Sequence, residues 1–229
     1  MDYIPGAVVF DIGDPLQQTV DRPHRLPSPA AFAERMGRLG LRRDATVVVY
    51  DVRGVYSAPP VWWALRLMGF PRVLILDGGL NAWRAEGRLI AAAPEVSVMT
   101  ALSPALEPAL ACDLESLRYL VETEAAQIVD ARPAARFGGE AFAPHVRLRS
   151  GHGPDAVNVP FHHVLTDAGR LKSAVALQEV FSAAGVDLAR PIVTASGSGR
   201  GACILALALA RLGRHDVAVC DGRPCEWHI

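Results

Sequence analysis

Two stretches of this chain repeat each other without a gap, and that repetition limits the fold more than any other feature. Thr46–Trp83 reads TVVVYDVRGVYSAPPVWWALRLMGFPRVLILDGGLNAW, and Pro191–Trp227 reads PIVTASGSGRGACILALALARLGRHDVAVCDGRPCEW. At one constant spacing Ala58 meets Ala202, Leu65 meets Leu209, Gly69 meets Gly213, Asp77 meets Asp221 and Trp83 meets Trp227. Earlier pieces pair in the same order: Ile4–Phe10 with Gly153–Phe161, and Leu26–Leu41 with Leu171–Val186. Two copies of one fold are the economical reading. A 229-residue chain leaves room for two small domains.

Each copy alternates strand and helix. Ser28 before Pro29 reads as an N-cap with proline at the first helical position, and Phe32, Met36 and Leu39 then share one face. Ser173 takes the same cap role ahead of Leu177, Val180, Phe181 and Ala184. Thr46–Tyr50 and Ile192–Thr194 are short apolar runs without alternation, as expected of strands buried on both faces. Helices follow over about Ala58–Met68 and Ala202–Leu212, then strands over Val73–Leu76 and Val217–Cys220. Strand, helix and strand at these lengths predict α/β domains, each a parallel sheet flanked by helices. Asp113 caps a helix bearing Leu114, Leu117, Leu120 and Val121, and a strand over Gln127–Val129 ends at Asp130. Nothing before Met1 matches that helix and strand in the first copy, so the first domain is expected to be incomplete, with an unpaired sheet edge. The expected organisation is an N-terminal domain over 1–88, a linker over 89–111 rich in Ala, Pro and Ser, and a C-terminal domain over 112–229.

Composition narrows the functional classes. The chain is 51% hydrophobic and 21% charged, with a formal net charge of −1, so it has apolar residues for real cores but no broad basic field. Nucleic acid and anionic membrane are therefore excluded as expected partners. The start, MDYIPGAVVFDIG, lacks a basic segment and a long apolar run, and the longest apolar run, Cys203–Ala210, is far too short to span a bilayer. A cytoplasmic location is the expectation. Cys112, Cys203, Cys220 and Cys225 show neither a CxxC pair nor a Cys/His zinc spacing, which argues against a disulfide framework and a metal site.

The segment ASGSGRGA, Ala195–Ala202, joins a buried strand to a helix. Gly197, Gly199 and Gly201 allow a tight turn with N–H groups directed inward. The helix N-terminus adds partial positive charge and Arg200 a full one, so the loop reads as an anion cradle. The plain alternative is a tight strand-to-helix turn. The loop also matches the dinucleotide fingerprint, with Asp221 about twenty residues on. Too little chain follows Asp221 to supply the remaining strands of that fold.

IPGAVVFD, VVVYD, SAPPVWWALR, LDGGLNAW, VDARPAARF, SGHGPDAVNVPF, GRLKS, SGSGRGA and DGRPCEW together resemble the two-domain rhodanese family, the thiosulfate and 3-mercaptopyruvate sulfurtransferases. The resemblance runs through nearly the whole chain. It implies two rhodanese-like domains, no cofactor, and transfer of sulfane sulfur from a small sulfur-containing anion to a thiol, including a thiol acceptor protein, or to cyanide. In the family's second-domain loop, usually CGSGVTA, a cysteine carries the sulfur as a persulfide. Here that position is Ser196, and Arg200 and Gly201 replace Val and Thr. Arg136 matches the first substrate arginine; the second falls on His145, with Arg147 two residues later. The implied site is therefore Ser196 as the nucleophile position, with Arg136, His145, Gly197, Ser198, Gly199, Arg200 and Gly201 around the anion. Val52 stands at the matching position of the first copy.

A thiolate is accessible near neutral pH, whereas a serine hydroxyl ionises far higher and holds no stable persulfide. The expected activity is weak or absent, and several differences together point to natural divergence rather than one engineered exchange. Three roles follow: an impaired sulfurtransferase, an enzyme using Cys225 as a secondary thiol, or a non-catalytic anion-binding or protein-interaction module. A serine hydrolase needs a general base beside Ser196. His152, His162 and His163 are candidates only by lying in the same copy, and His152 matches a position that the family also fills with His.

Overall fold

The computed structural model describes residues 2–10, 27–140 and 155–220. The chain divides into two compact units, 1–107 with 168–170, and 108–167 with 171–229.

In the first unit, helix α1 (Pro29–Arg38) starts at Ser28, whose Oγ accepts the Ala31 amide at 3.3 Å. Phe32 and Met36 bury its inner face. Strands β1 (Val47–Val49) and β2 (Val73–Ile75) pair in parallel on either side of helix α2 (Ala58–Leu67), and helix α3 (Gly79–Ala85) follows. The Trp62 indole donates to the Val73 carbonyl at 3.1 Å, pinning α2 to the sheet. The expectation that β1 is buried on both faces fails. Val48 and Leu74, partners in register, are 52% and 56% exposed. Alternation turns these middle residues away from their neighbours, onto a face that the described residues leave open.

Residues 89–107 are not a free tether. Tyr3 and Ala91 exchange backbone bonds at 2.9 and 2.8 Å, and the Thr100 amide donates to Gly37 at 2.9 Å. Arg43 donates to the carbonyls of Met68 and Ser103, both at 2.6 Å, and the Glu107 amide reaches Leu67 at 2.6 Å. A Cβ on Gly37 would stand 2.4 Å from the Thr100 oxygen, so this crossing requires glycine. The Ala, Pro and Ser composition marks a segment without helix or strand of its own, not one without contacts. Ala111, expected at the end of the linker, already belongs to a strand.

The second unit holds a five-stranded, all-parallel sheet in the order β3–β7–β6–β4–β5. Its strands are β3 (Ala111–Cys112), β4 (Gln127–Asp130), β5 (Val157–Asn158), β6 (Ile192–Ala195) and β7 (Ala218–Cys220). Strands β4 and β6 are buried throughout, as their unbroken apolar character requires. Asp113 caps helix α4 (Leu114–Glu122) by accepting the Ser116 amide at 2.8 Å, and Ser173 caps helix α6 (Ala174–Ala183) by accepting Ala176 at 3.3 Å. Helix α5 (Ala134–Phe137) is a single turn, and helix α7 (Arg200–Arg211) buries every residue from Gly201 to Leu209. A helix apolar on all sides is a core helix. No described helix is long and apolar enough to cross a membrane.

Cys112, Cys203 and Cys220 are free and buried. Burial, with Asp113 adding repulsion, pushes the Cys112 thiol up to about 11 from its ordinary 9.0. Folding therefore favours its protonated form. That contribution to stability is intact below about pH 9 and lost as pH rises toward 11. We expect Cys112 to stay unmodified by iodoacetamide at pH 8 in the folded chain and to react fully in denaturant. Peptide mass spectrometry reads both states, and rapid modification of the folded chain would contradict the burial.

Candidate functional site

Strands β4 and β6 run side by side with Asp130 opposite Ala195, so the segments that follow them leave from the same end of the sheet. After β6 comes Ser196, 5% exposed. Its Oγ accepts the Ala202 amide at 3.2 Å, taking up one of the N–H groups that a helix start leaves without a helical partner. Gly199 then turns left-handed, with φ of +74°, and α7 begins at Arg200, two residues before the expected start. Cβ positions on Gly197 and Gly199 would meet no atom within 4 Å, so the loop is open on that side. Gly201 is different: a Cβ there would stand 3.0 Å from the Ala131 Cβ and 3.4 Å from the Ser196 Cβ. The loop is thus seated on Ala131, whose amide also donates to the Ala195 carbonyl at 2.8 Å.

The structure brings Ser196, Gly197, Ser198, Gly199, Arg200 and Gly201 into one turn at the N-terminus of α7. Ser198 is exposed and Arg200 half-buried. Arg136, half-buried, lies on the short α5 that follows β4. His145 and Cys225 lie outside the described residues, as do Arg147, His152 and Asp221. His162 and His163 sit on a 3-10 helix, Phe161–Val164, exposed and packed edge to face on each other with centroids 4.5 Å apart.

One feature that the motif reading passed over lies directly beneath the loop. The Asp130 carboxylate binds Arg132 through the amide at 2.8 Å, through Nε at 3.0 and 2.9 Å, and through a terminal guanidinium nitrogen at 2.7 Å. Their side chains are only 5% and 11% exposed. Asn158 of β5 donates to the carbonyls of both residues, at 3.0 and 2.9 Å. Ala131, which carries the loop, is held between them. The signal was present in VDARP, an acid and a base two apart at a strand end, but the spacing alone does not reveal burial.

The Rhodanese-like domain model matches residues 2–86 and 113–228. The chain belongs to the rhodanese family. It is 38% identical over 225 residues to the 3-mercaptopyruvate sulfurtransferase of Escherichia coli K12, covering 98% of this chain and 80% of that one. It is 36% identical to the human 3-mercaptopyruvate sulfurtransferase, covering 99% and 77%. The chicken thiosulfate sulfurtransferase is 38% identical, over 98% and 78%. The crystal structure of SseA, described as a 3-mercaptopyruvate sulfotransferase of Escherichia coli, superposes with a TM-score of 0.86 at 37% identity, covering 97% of this chain and 83% of that one. Both the rhodanese fold and the parallel sheets flanked by helices agree with the expectation from the repeats.

Proposed function

We propose that this rhodanese-family chain keeps the sulfurtransferase scaffold and an anion-binding loop, and that its own transfer of sulfane sulfur is weak or absent. The observation that carries this reading is the residue between β6 and α7. The site offers a buried position, glycine-lined on its open side, and fills it with the hydroxyl of Ser196. Sulfur transfer needs a group that is both an anion near neutral pH and a soft nucleophile, and a serine hydroxyl is neither. Support for a retained anion site comes from the loop amides, the start of the twelve-residue α7 and Arg200 at its first position. The ligand would be a small sulfur-containing anion such as 3-mercaptopyruvate or thiosulfate, with Arg136 and Arg200 as the cationic partners and no cofactor.

Two measurements test the reading. The native chain should transfer no measurable sulfur from 3-mercaptopyruvate or thiosulfate to cyanide; clear turnover would overturn the impairment. Calorimetric titration with thiosulfate should show binding that Arg200→Ala weakens by about tenfold or more, the loss expected of one charge-assisted hydrogen bond. Unchanged affinity in that variant would count against the cradle and favour the non-catalytic interaction module.

A further inference from the structure

The first unit contains the same strand-to-helix loop, and there the anion is part of the chain. Under the repeat, Asp51 takes the place of Ala195, Val52 that of Ser196 and Ala58 that of Ala202. One oxygen of the Asp51 carboxylate accepts the amides of Arg53 at 3.0 Å and Gly54 at 2.6 Å. The other accepts the amides of Tyr56 at 3.0 Å, Ser57 at 2.6 Å and Ala58 at 3.1 Å, together with the Ser57 hydroxyl at 3.1 Å. Five backbone N–H groups of one turn thus converge on a single carboxylate. The Ala58 amide is the counterpart of the Ala202 amide, which in the second unit meets only the neutral Ser196 hydroxyl. The turn is also held from behind. The Asp51 carbonyl accepts the Leu80 amide at 2.9 Å, and a Cβ on Gly79 would stand 2.2 Å from that oxygen.

We propose that Asp51 is a built-in anion that fills the first loop and closes it to external anions and to thiolate or persulfide chemistry. The first copy is silenced twice: Val52 removes the nucleophile, and Asp51 occupies the donors that would stabilise its charge. A thiolate at position 52 would find those amides already engaged and a carboxylate beside it. Charge repulsion and the lack of donors both favour the neutral thiol. Without the carboxylate, the same amides and the N-terminus of α2 would face the thiolate, the environment that lowers cysteine pKa values. Position 52 is accessible, since Val52 is 44% exposed.

The test places a reporter thiol in the full chain as Val52→Cys, alone and combined with Asp51→Asn or Asp51→Ala. The pH dependence of iodoacetamide modification is followed on the peptide containing position 52, which separates it from the native cysteines. The thiol in Val52→Cys alone should ionise at or above the ordinary value of about 8.5. With Asp51→Ala it should fall at least about one unit below that value, and with Asp51→Asn it should lie between, because the amide keeps an acceptor but not the charge. A merely structural role for Asp51 predicts something else: an unfolded loop returns the thiol to its ordinary value, never below it. If circular dichroism shows that the Asp51→Ala double variant is unfolded, the Asp51→Asn comparison decides by the same criterion. Equal pKa values in the folded variants, or a low value in Val52→Cys alone, would overturn the proposal. Ser196 takes no part, so this outcome stands apart from the reading of the second loop.

Discussion

A Ser196→Cys variant is expected to take up sulfur from 3-mercaptopyruvate or thiosulfate and to pass it to cyanide at least about 10³-fold faster than the native chain. Losing a nucleophile from a well-tuned site costs on the order of 10⁶ in turnover. Restoring one to a site with further differences should recover part of that. The introduced thiol would sit at the end of β6, before an α7 whose N-terminus favours the thiolate. Its sulfur attacks the sulfane sulfur of the donor. A sulfur–sulfur bond forms while the donor's bond to that sulfur breaks, releasing pyruvate, after protonation of its carbon, or sulfite. Cyanide then attacks the outer sulfur, thiocyanate leaves and the thiolate is regenerated. Intact mass should show one added sulfur atom after donor treatment and its loss after cyanide. A variant that folds, binds thiosulfate and gains neither mass nor turnover would show that the missing nucleophile is not what limits this chain. Arg200 and Gly201, where the family has Val and Thr, would then be the next residues to revert.

The sequence reading succeeded where one physical cause dominates a short segment. Ser28, Ser173 and Asp113 were legible as caps because an oxygen three residues ahead of an orphan amide has one favourable use. Strands β4 and β6 were legible because only central strands tolerate unbroken apolar runs. The same rule misread β1, whose Val48 faces the open side of a two-stranded sheet. Composition cannot say how many neighbours a strand will have. Residues 89–107 were misread for a related reason: their bonds to Gly37, Leu41, Leu67 and Ala7 join positions far apart in sequence, and extended chain bears no periodic mark. The loop at Ser196 was found through its glycines and its resemblance to a known motif. The carboxylates of Asp51 and Asp130 were passed over because an acid at a strand end looks the same whether it meets water, five amides or a buried guanidinium.

That last distinction sets the second large effect. Asp130→Ala removes one partner of a nearly buried ion pair and leaves the Arg132 guanidinium without its carboxylate. Such a loss costs about 3–5 kcal/mol, because the remaining charge stays buried, whereas removing both partners costs much less. Native-state hydrogen exchange on the β4 and β6 peptides should therefore show opening easier by about that amount in Asp130→Ala. Asp130→Ala/Arg132→Leu should recover a substantial part. The effect should extend to the loop. Ala131 lies between the two partners, donates to Ala195 and stands against Gly201. Weaker thiosulfate binding is therefore expected together with lost protection, even though Asp130 carries the wrong charge to hold an anion. If protection falls while affinity is unchanged, the pair supports the sheet alone and the loop has another foundation. If neither moves, the ion pair supports neither, and the rigidity of the turn must come from the packing of α7 on β6 and β7.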